Sequence, residues 1–410
     1  MKKEVLTSAL LMISLALAGG LAGCGGSSSS TPPPPPPVNN VQAIAVDGGP
    51  VAGQIYPDAA FTSVTVCIPN SSTCQTVDGI LVDTGSVGLR VLASALPGLN
   101  LPKLTGSGGV SFYDCVSFID GSFLWGPVAE ADVTMAGEKA SAGSIHLIED
   151  PSGFSVPAGC SNGGVDEDNQ AALGANGILG VAPEPLDCGL ACDPSAGGVA
   201  PPVYFGCLAA GNCLTAFVPV GQQVVNPVAL FPQDNNGVIL KMQALSSPAA
   251  TATGSMIFGI GTQTNNQLGS ATVFTLDDFD NFTTNFNGQS LTGSFLDSGS
   301  NGFFFPDAAI PQCAGNSVAP GFYCPTSTVN LSAQNVGTNN AQNMVNFSVA
   351  NSVNLFQSNG SDTAFPTLGG PGFVHSFDWG LPFFYGRNVF FAIDGQGVPS
   401  GAPAAPWWAY

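Results

Sequence analysis

The sequence predicts an all-β protein built from short strands, and three observations support this class. The 53 Gly and 33 Pro residues divide the 410-residue chain into short segments. Lys and Arg together number only 7, although the solvent faces of amphipathic helices usually carry many of them. Runs rich in β-branched, apolar and aromatic residues lie between the turn residues and are predicted to be strands. These runs are 62–68, 79–82, 128–135, 145–148, 256–259, 271–276, 303–305 and 388–393.

The first 40 residues are typical of an exported, lipid-anchored protein. Two lysines precede an apolar stretch, so residues 1–23 are interpreted as a signal peptide. The stretch is shorter than the ~20 residues that a membrane-spanning helix needs. It ends in Leu-Ala-Gly-Cys24, which resembles the lipobox at which bacterial lipoproteins are cleaved and acylated on the cysteine. Residues 24–40, rich in Gly, Ser and Pro, are predicted to be a tether between the lipidated Cys24 and the folded body.

The net charge limits the possible partners of the protein, and the start of the tether indicates where the protein is anchored. With 27 acidic and 7 basic residues the net charge is −20, which argues against nucleic acid as a partner. Gly25 stands where lipoproteins held at the inner membrane often have an aspartate. The resemblance to Gram-negative lipoproteins therefore implies a lipid anchor in the outer membrane, with the body facing the periplasm or the cell exterior. We expect a monomer.

Ten cysteines follow Cys24, and export to an oxidising compartment favours disulfides for them. Spacing suggests three local pairs, while the full connectivity stays open: Cys67 with Cys74, Cys207 with Cys213, and Cys313 with Cys324. The Cys188-x3-Cys192 spacing together with Cys207 and Cys213 would form a metal site only if the chain were not exported. Because the sequence also has only two histidines, we expect no metal and no cofactor.

A short motif occurs once in each half of the chain. Gly79-Ile80-Leu81-Val82-Asp83-Thr84-Gly85-Ser86 corresponds to Gly293-Ser294-Phe295-Leu296-Asp297-Ser298-Gly299-Ser300. In each copy an apolar strand ends in an Asp, followed by a hydroxyl residue, a Gly and a Ser. The Gly permits a close backbone approach, and the Ser can hydrogen-bond the carboxylate and hold its orientation. A single copy would be a simple turn, but two copies behind apolar strands indicate a site.

On these residues the chain resembles the two-lobed, pepsin-like aspartic proteases, in which each lobe contributes one aspartate to a shared pair. Residues 176–182 resemble the strand that threads beside the first aspartate. Residues 253–259 resemble the strand that opens the second lobe, and residues 380–394 the segment that crosses beside the second aspartate. The resemblance implies an all-β fold of two double-psi β-barrel lobes with few short helices. We place the N-terminal lobe at 41–248 and the C-terminal lobe at 249–410.

The resemblance also assigns roles to the motif residues. Asp83 and Asp297 would be the catalytic pair. Two carboxylates within hydrogen-bonding distance share one proton, so one member can activate a water while the other polarises the scissile carbonyl of an extended peptide. The implied supporting residues are Thr84, Gly85, Ser86, Ser298, Gly299 and Ser300. Ser86 and Ser300 would orient the carboxylates, and Thr84 and Ser298 would join the lobes.

Two positions depart from the pattern of the family. The hairpin that covers the substrate usually carries a tyrosine, whereas the best match here has Phe118, with Gly121 in the turn. Tyr113 or Trp125 could take the place of the tyrosine, whose hydroxyl Phe118 lacks. Arg90 stands where the family often has a tryptophan, and a cation there could pair with an acidic group in the cleft or alter the protonation of the aspartates.

The sequence leaves one main alternative to a peptidase and gives little support to other kinds of site. The main alternative is a catalytically inactive pepsin-fold surface lipoprotein that binds a peptide, a glycan or an envelope partner. A Ser-His-Asp triad would need His146 or His375, and neither accompanies a Gly-x-Ser-x-Gly motif. No spacing singles out the carboxylate pair of a glycosidase. The acidic run 166–168 lacks the ligand pattern of a calcium loop, which favours a solvated loop, and the aromatic end 407–410 is expected to pack on the body.

Overall fold

The computed structural model describes residues 39–149, 154–209, 212–358 and 360–410. The predicted signal peptide, Cys24 and all but the last two residues of the tether lie outside the described residues. Within the described part, no helix is long and apolar enough to cross a membrane.

Strands account for most of the regular structure, and they begin directly after the tether. The strands up to residue 258 are β1 Val41–Val46, β2 Phe61–Cys67, β3 Cys74–Asp83, β4 Val87–Leu92, β5 Ser111–Ser117, β6 Ser122–Met135, β7 Glu138–Ile148, β8 Val165–Asp166, β9 Gly177–Val181, β10 Tyr204–Ala209, β11 Asn212–Thr215, β12 Gly237–Met242 and β13 Ala252–Phe258. The later strands are β14 Val273–Thr275, β15 Phe282–Phe286, β16 Gln289–Leu296, β17 Phe303–Phe305, β18 Val329–Val336, β19 Gln342–Val349, β20 Gly369–Pro371, β21 Asp378–Trp379, β22 Asn388–Ala392 and β23 Trp407–Ala409.

These strands form two sheets. The larger has the order β11-β10-β5-β6-β7-β4-β9-β3-β2-β1-β13-β12-β22-β23-β14, with β8 beside β6, and the smaller has the order β19-β18-β15-β16-β21-β17-β20. Each of the eight segments predicted as strands overlaps a strand of the structure, so the all-β class is confirmed. The predicted lobe boundary at 248/249 falls between the antiparallel strands β12 and β13 and stays a prediction.

Helices are few and short, as predicted. The described α-helices are α1 Ala158–Ser161, α2 Gln170–Leu173 and α3 Ser352–Ser358, and single 3-10 turns occur at Ala93–Ala95, Ser107–Gly109, Gly189–Cys192, Val220–Gln222, Pro227–Leu230 and Leu381–Phe383. The side chain of Asn169 accepts hydrogen bonds from two backbone N–H groups at the start of α2. Gly174 ends that helix in the left-handed conformation, with φ of 71°.

The ten cysteines of the described chain form five disulfides: Cys67–Cys74, Cys115–Cys160, Cys188–Cys192, Cys207–Cys213 and Cys313–Cys324. The three local pairs predicted from spacing are confirmed. The metal alternative for the Cys188 and Cys207 segments is wrong, because each thiol is bonded to another sulfur and cannot be a thiolate ligand.

The core beneath the second aspartate is mostly aromatic. Trp379 is fully buried, stacks on Phe377 with ring centroids 3.9 Å apart, and donates its Nε1–H to Thr284 Oγ1 at 3.2 Å. The aromatic C-terminus packs on the body as predicted: Trp408 is buried, and Tyr410 stacks on Phe274 at 5.0 Å. This packing fixes the strands from which the second half of the site projects.

Candidate active site

The two motif aspartates lie at the ends of two strands that have a parallel neighbour. Asp83 is the last residue of β3 and Asp297 follows β16 directly. Strand β9 runs parallel to β3 with Gly180 opposite Asp83, which confirms the strand predicted at 176–182. A Cβ on Gly180 would lie 2.6 Å from the backbone carbon of Ser86, so only glycine fits this crossing.

The second crossing differs slightly from the prediction. Strand β21, Asp378–Trp379, runs parallel to β16. The crossing therefore begins two residues before the segment 380–394 that the resemblance suggested. That segment continues instead into β22, which pairs with β12 in the larger sheet.

The hydroxyls of Thr84 and Ser298 hold the two aspartate loops together. Thr84 Oγ1 donates to the carbonyl oxygen of Leu296 at 3.0 Å, and Ser298 Oγ donates to that of Val82 at 2.7 Å. Each hydroxyl also accepts the backbone N–H of the other residue, at 2.9 Å to Thr84 and 3.2 Å to Ser298. Both side chains are buried, so these bonds are protected from water. The structure therefore brings the predicted pair of joining residues together with two-fold symmetry.

Both carboxylates are oriented by the same kinds of donor. One oxygen accepts the backbone N–H two residues later, and the other accepts the hydroxyl of the serine three residues later. Gly85 and Ser86 hold Asp83 in this way, with the Gly85 N–H at 2.8 Å, while Gly299 and Ser300 hold Asp297 at 2.8 and 2.9 Å. The six predicted supporting residues thus surround the predicted pair.

The glycines let each loop approach the opposite carboxylate. A Cβ on Gly85 would lie 2.8 Å from Cγ of Asp297, and a Cβ on Gly299 would lie 2.7 Å from Oδ1 of Asp83. Burial, and then the neighbouring charge of Asp83, raises the pKa of Asp297 well above its usual range. Two close carboxyls of which one keeps its proton can act as one base and one acid on the same ligand.

A third carboxyl group, which sequence reasoning missed, lies beside this pair. Asp378 is on β21, lines the same cleft and is only 7% exposed. Burial raises the pKa of Asp378 to about 8, although a hydrogen bond with Ser300 acts in the opposite direction. The sequence did hold a signal, because an aspartate between Phe377 and Trp379 is a charge inside an apolar run.

The cleft that contains the aspartates has a volume of about 1260 Å³, and the predicted hairpin covers part of it. Strands β5 and β6 form this hairpin, Phe118 and the exposed Ile119 at its tip line the cleft, and Gly121 makes the turn with φ of 90°. The suggestion that Tyr113 or Trp125 takes the place of this tyrosine is wrong. These two rings stack on each other in a separate buried cluster, 5.0 Å between centroids, and are not among the described residues that line the cleft.

Tyr56 brings a hydroxyl-bearing ring to the cleft instead. It lies in the loop before β2, and a Cβ on Gly174 would come within 2.8 Å of its ring, so the ring is held against the end of α2. Burial, and then the charges of Glu167 and Asp297, raises the pKa of Tyr56 above its usual range. The hydroxyl therefore stays protonated and can donate a hydrogen bond to a ligand.

Arg90 is buried and paired with acids. This agrees with the first of its two predicted roles, which was to pair with an acidic group in the cleft. Its Nη2 lies 3.4 Å from Asp187 Oδ2 and 3.6 Å from Asp114 Oδ2, and the side chain is 2% exposed. Asp187 lines the cleft and accepts the hydroxyl of Tyr204 at 2.5 Å. His146 is fully buried with Nδ1 3.2 Å from Asp114, and burial lowers its pKa. This histidine is part of the buried network around Asp114.

The acidic run 166–168 differs from the solvated loop that was predicted. Glu167 is half-buried and lines the cleft, where burial and then the charge of Asp120 raise its pKa to about 7. Glu184 also lines the cleft, and burial and then the charge of Asp280 raise its pKa to about 7. The cleft therefore holds more acidic groups than the motif alone indicated.

The stability of the fold is expected to fall as the pH rises from about 4 to about 8. Burial raises the pKa of Asp166 and Asp280 to about 6, of Glu167 and Glu184 to about 7, and of Asp378 to about 8. A raised pKa means that the folded state binds the proton more tightly than the unfolded chain. The stabilisation is therefore complete below the unfolded pKa and is lost as the pH passes through the folded values.

Thermal unfolding at several pH values measures this dependence. The Tm should decrease steadily over the interval, and Asp378→Asn should make the decrease at its upper end smaller. A Tm that is constant or rises between these pH values would contradict the raised pKa values of these carboxyls.

Comparisons with known proteins show the family of the chain. The model of a family described as "Protein of unknown function (DUF3443)" matches residues 36–410. No curated protein matches the sequence significantly. The solved structures that are similar include an aspartic proteinase from Irpex lacteus, with 15% sequence identity and a TM-score of 0.47, over 86% of this chain and 94% of that chain.

Proposed function

We propose, for a chain that belongs to the DUF3443 family of proteins of unknown function, that it is an aspartic endopeptidase in which Asp83 and Asp297 activate a water molecule. One observation carries the proposal. The two Asp-hydroxyl-Gly-Ser loops are locked to each other by reciprocal bonds between Thr84 and Ser298, so two oriented carboxyls face one cleft. Two carboxyls held this close repel each other when both are ionised, which lowers the stability of the fold. A turn with a purely structural role does not need such a pair.

The chemistry follows from the different environments of the two carboxyls. Burial and then the charge of Asp83 raise the pKa of Asp297, so in the proposed mechanism Asp297 holds the shared proton and acts first as the acid. Asp83 takes a proton from water as the oxygen attacks the scissile carbonyl carbon, and Asp297 gives its proton to the carbonyl oxygen. The tetrahedral intermediate then collapses: the C–N bond breaks, Asp83 protonates the leaving nitrogen, and a hydroxyl proton returns to Asp297. No bond forms between the protein and the substrate.

The proposed substrate is an extended segment of a peptide or unfolded protein. Such a segment can lie in the cleft between the aspartate loops and the β5–β6 hairpin, with the Tyr56 hydroxyl as an additional donor. The proposed setting is the bacterial outer membrane, to which an acylated Cys24 would anchor the body. Five disulfides in the described chain suit an oxidising compartment and so support export.

Cleavage of an unfolded protein substrate by the full chain, measured from about pH 3 to 7, tests this function. We expect acid-favoured cleavage that a statine inhibitor, which mimics the tetrahedral intermediate, abolishes. The same inhibitor should raise the Tm, because it binds only the folded state. A folded protein that cleaves neither this substrate nor proteins of an envelope extract at any pH would exclude the peptidase and leave the binding lipoprotein as the better hypothesis.

A further inference from the structure

Apart from the aspartate pair and Asp187, which is paired with Arg90, the acidic groups that line the cleft fall into three sets. Asp378 lies next to the pair, Glu167 interacts with Asp120 of the hairpin, and Glu184 interacts with Asp280. All five of these residues line the cleft. Carboxyls gathered in one partly buried groove repel one another when they are ionised. The groove is therefore unfavourable for anions and becomes more stable when a positive charge enters.

The described lining of the cleft contains little positive charge of its own. Arg90 is the one Lys, Arg or His side chain among the described residues that line it. Its guanidinium is already engaged by the buried carboxylates of Asp114 and Asp187. Among the described residues that line the groove, no basic side chain is therefore left to compensate the charge of the three acidic sets. The compensating cation has to come from a ligand.

Asp378 provides a separate observation that points to a ligand. Asp378 lines the cleft, and only 7% of its surface is exposed, so the residue is 93% buried. Its Oδ1 has no hydrogen-bond partner among the described residues. A buried carboxyl oxygen without a donor has lost its hydration and gained no hydrogen bond in return, which is unfavourable. Phe295 and Phe304 lie opposite Asp378 on the neighbouring strands β16 and β17, and neither side chain can donate a hydrogen bond. Because Asp378 lines the cleft, a ligand bound there is the candidate for the missing donor.

We propose that the cleft selects extended peptide segments that carry lysine or arginine, and that one such side chain reaches Asp378. This inference rests on the proposed function for the identity of the cleft as the substrate site. Ammonium and guanidinium groups are donors without acceptors, so they satisfy a carboxylate oxygen and offset the charge around it. An acidic segment would add like charge to Asp120, Glu167, Glu184 and Asp280 and is selected against.

Binding to the full chain carrying Asp83→Asn tests the inference without cleavage. Three labelled peptides of the same neutral sequence would differ only at a central position, which holds lysine, Nε-acetyl-lysine or glutamate. At about pH 9, which lies above the raised pKa of Asp378 and below the usual pKa of lysine, we expect the lysine peptide to bind on the order of tenfold more tightly than the acetyl-lysine peptide, and the glutamate peptide most weakly. Fluorescence anisotropy measures the three Kd values, and added salt should reduce the differences.

A second substitution in the Asp83→Asn protein assigns the preference to one residue. Asp378→Asn should bring the Kd values of the lysine and acetyl-lysine peptides close together. The matched control is Asp78→Asn, which changes an exposed aspartate on β3 outside the cleft and should leave their ratio unchanged. Equal affinity of the Asp83→Asn protein for the lysine and acetyl-lysine peptides would overturn the inference. A preference that survives Asp378→Asn would overturn the assignment of Asp378.

Failure of the proposed selectivity for basic peptides can be distinguished from failure of the proposed peptidase function. A wild-type protein that cleaves lysine and acetyl-lysine peptides equally well keeps the peptidase and overturns the selectivity. A protein that prefers the lysine peptide but cleaves nothing at any pH overturns the peptidase, and the cleft is then a binding site for basic segments.

Discussion

Replacing Asp83 by Asn is expected to lower the rate of peptide hydrolysis about a thousandfold or more, and Asp297→Asn should have a similar effect. An amide cannot take a proton from water at the position of Asp83, nor give one to a carbonyl oxygen at the position of Asp297. The shape of the site should change little, because asparagine keeps an oxygen that can accept the N–H of Gly85 or Gly299. Initial rates on a peptide substrate at acidic pH measure the loss.

The Tm of these variants separates loss of chemistry from loss of fold. At neutral pH it should be unchanged or higher than in the wild type, because one of two mutually repelling buried carboxyls has been removed. Asp78→Asn is the control and should keep both the rate and the Tm of the wild type. Hydrolysis by Asp83→Asn at the wild-type rate would remove the aspartate pair from the mechanism.

Much of the fold could be predicted because its central strands are apolar and local turn residues bound them. Strands β3 and β9 read as short apolar runs, and the glycine of β9 marks a close backbone approach. Strands β18 and β19 are among the strands that were not predicted. Their sequences, VNLSAQNV and QNMVNFSV, are rich in Asn, Gln and Ser, and only alternate side chains of β19 are buried. Such strands are stabilised by pairing with each other and with the sheet, which a local pattern does not reveal.

The site was predictable where its residues are adjacent in the sequence and unpredictable where the fold brings distant segments together. Asp83, Asp297 and their supporting residues lie in two contiguous motifs. Asp378, Tyr56 and Asp187 reach the same cleft from three other segments. No local spacing connects these three residues to the aspartates, so their contribution depends on sheet pairing and loop packing that only the folded structure defines.

Arg90 shows the same dependence on the fold in a second buried site. From the sequence it was a departure from a family pattern, but in the structure it separates two buried carboxylates. Burial, and then the charge of Asp114, raises the pKa of Asp187 well above its usual range, while Arg90 acts to lower it. A buried cation between two acids is costly to remove, because the acids that remain lose their compensating charge.

Arg90→Met is therefore expected to lower the free energy of unfolding by about 3–5 kcal/mol. The loss should be larger at alkaline than at acidic pH. Without the cation the pKa of Asp187 rises further in the folded state, and a carboxyl whose pKa is raised on folding destabilises the fold as the pH rises towards that value. Chemical denaturation with the disulfides intact, carried out at acidic and alkaline pH, measures both effects.

Two further variants show whether charge or packing is responsible. Lys241→Met removes an exposed cation from β12 and should change the free energy of unfolding by less than about 0.5 kcal/mol. Adding Asp187→Asn to Arg90→Met should recover part of the lost stability, because one of the uncompensated acids is then neutral. If Arg90→Met is as stable as Lys241→Met, or if Asp187→Asn destabilises it further, the arginine does not stabilise the fold by compensating these buried acids.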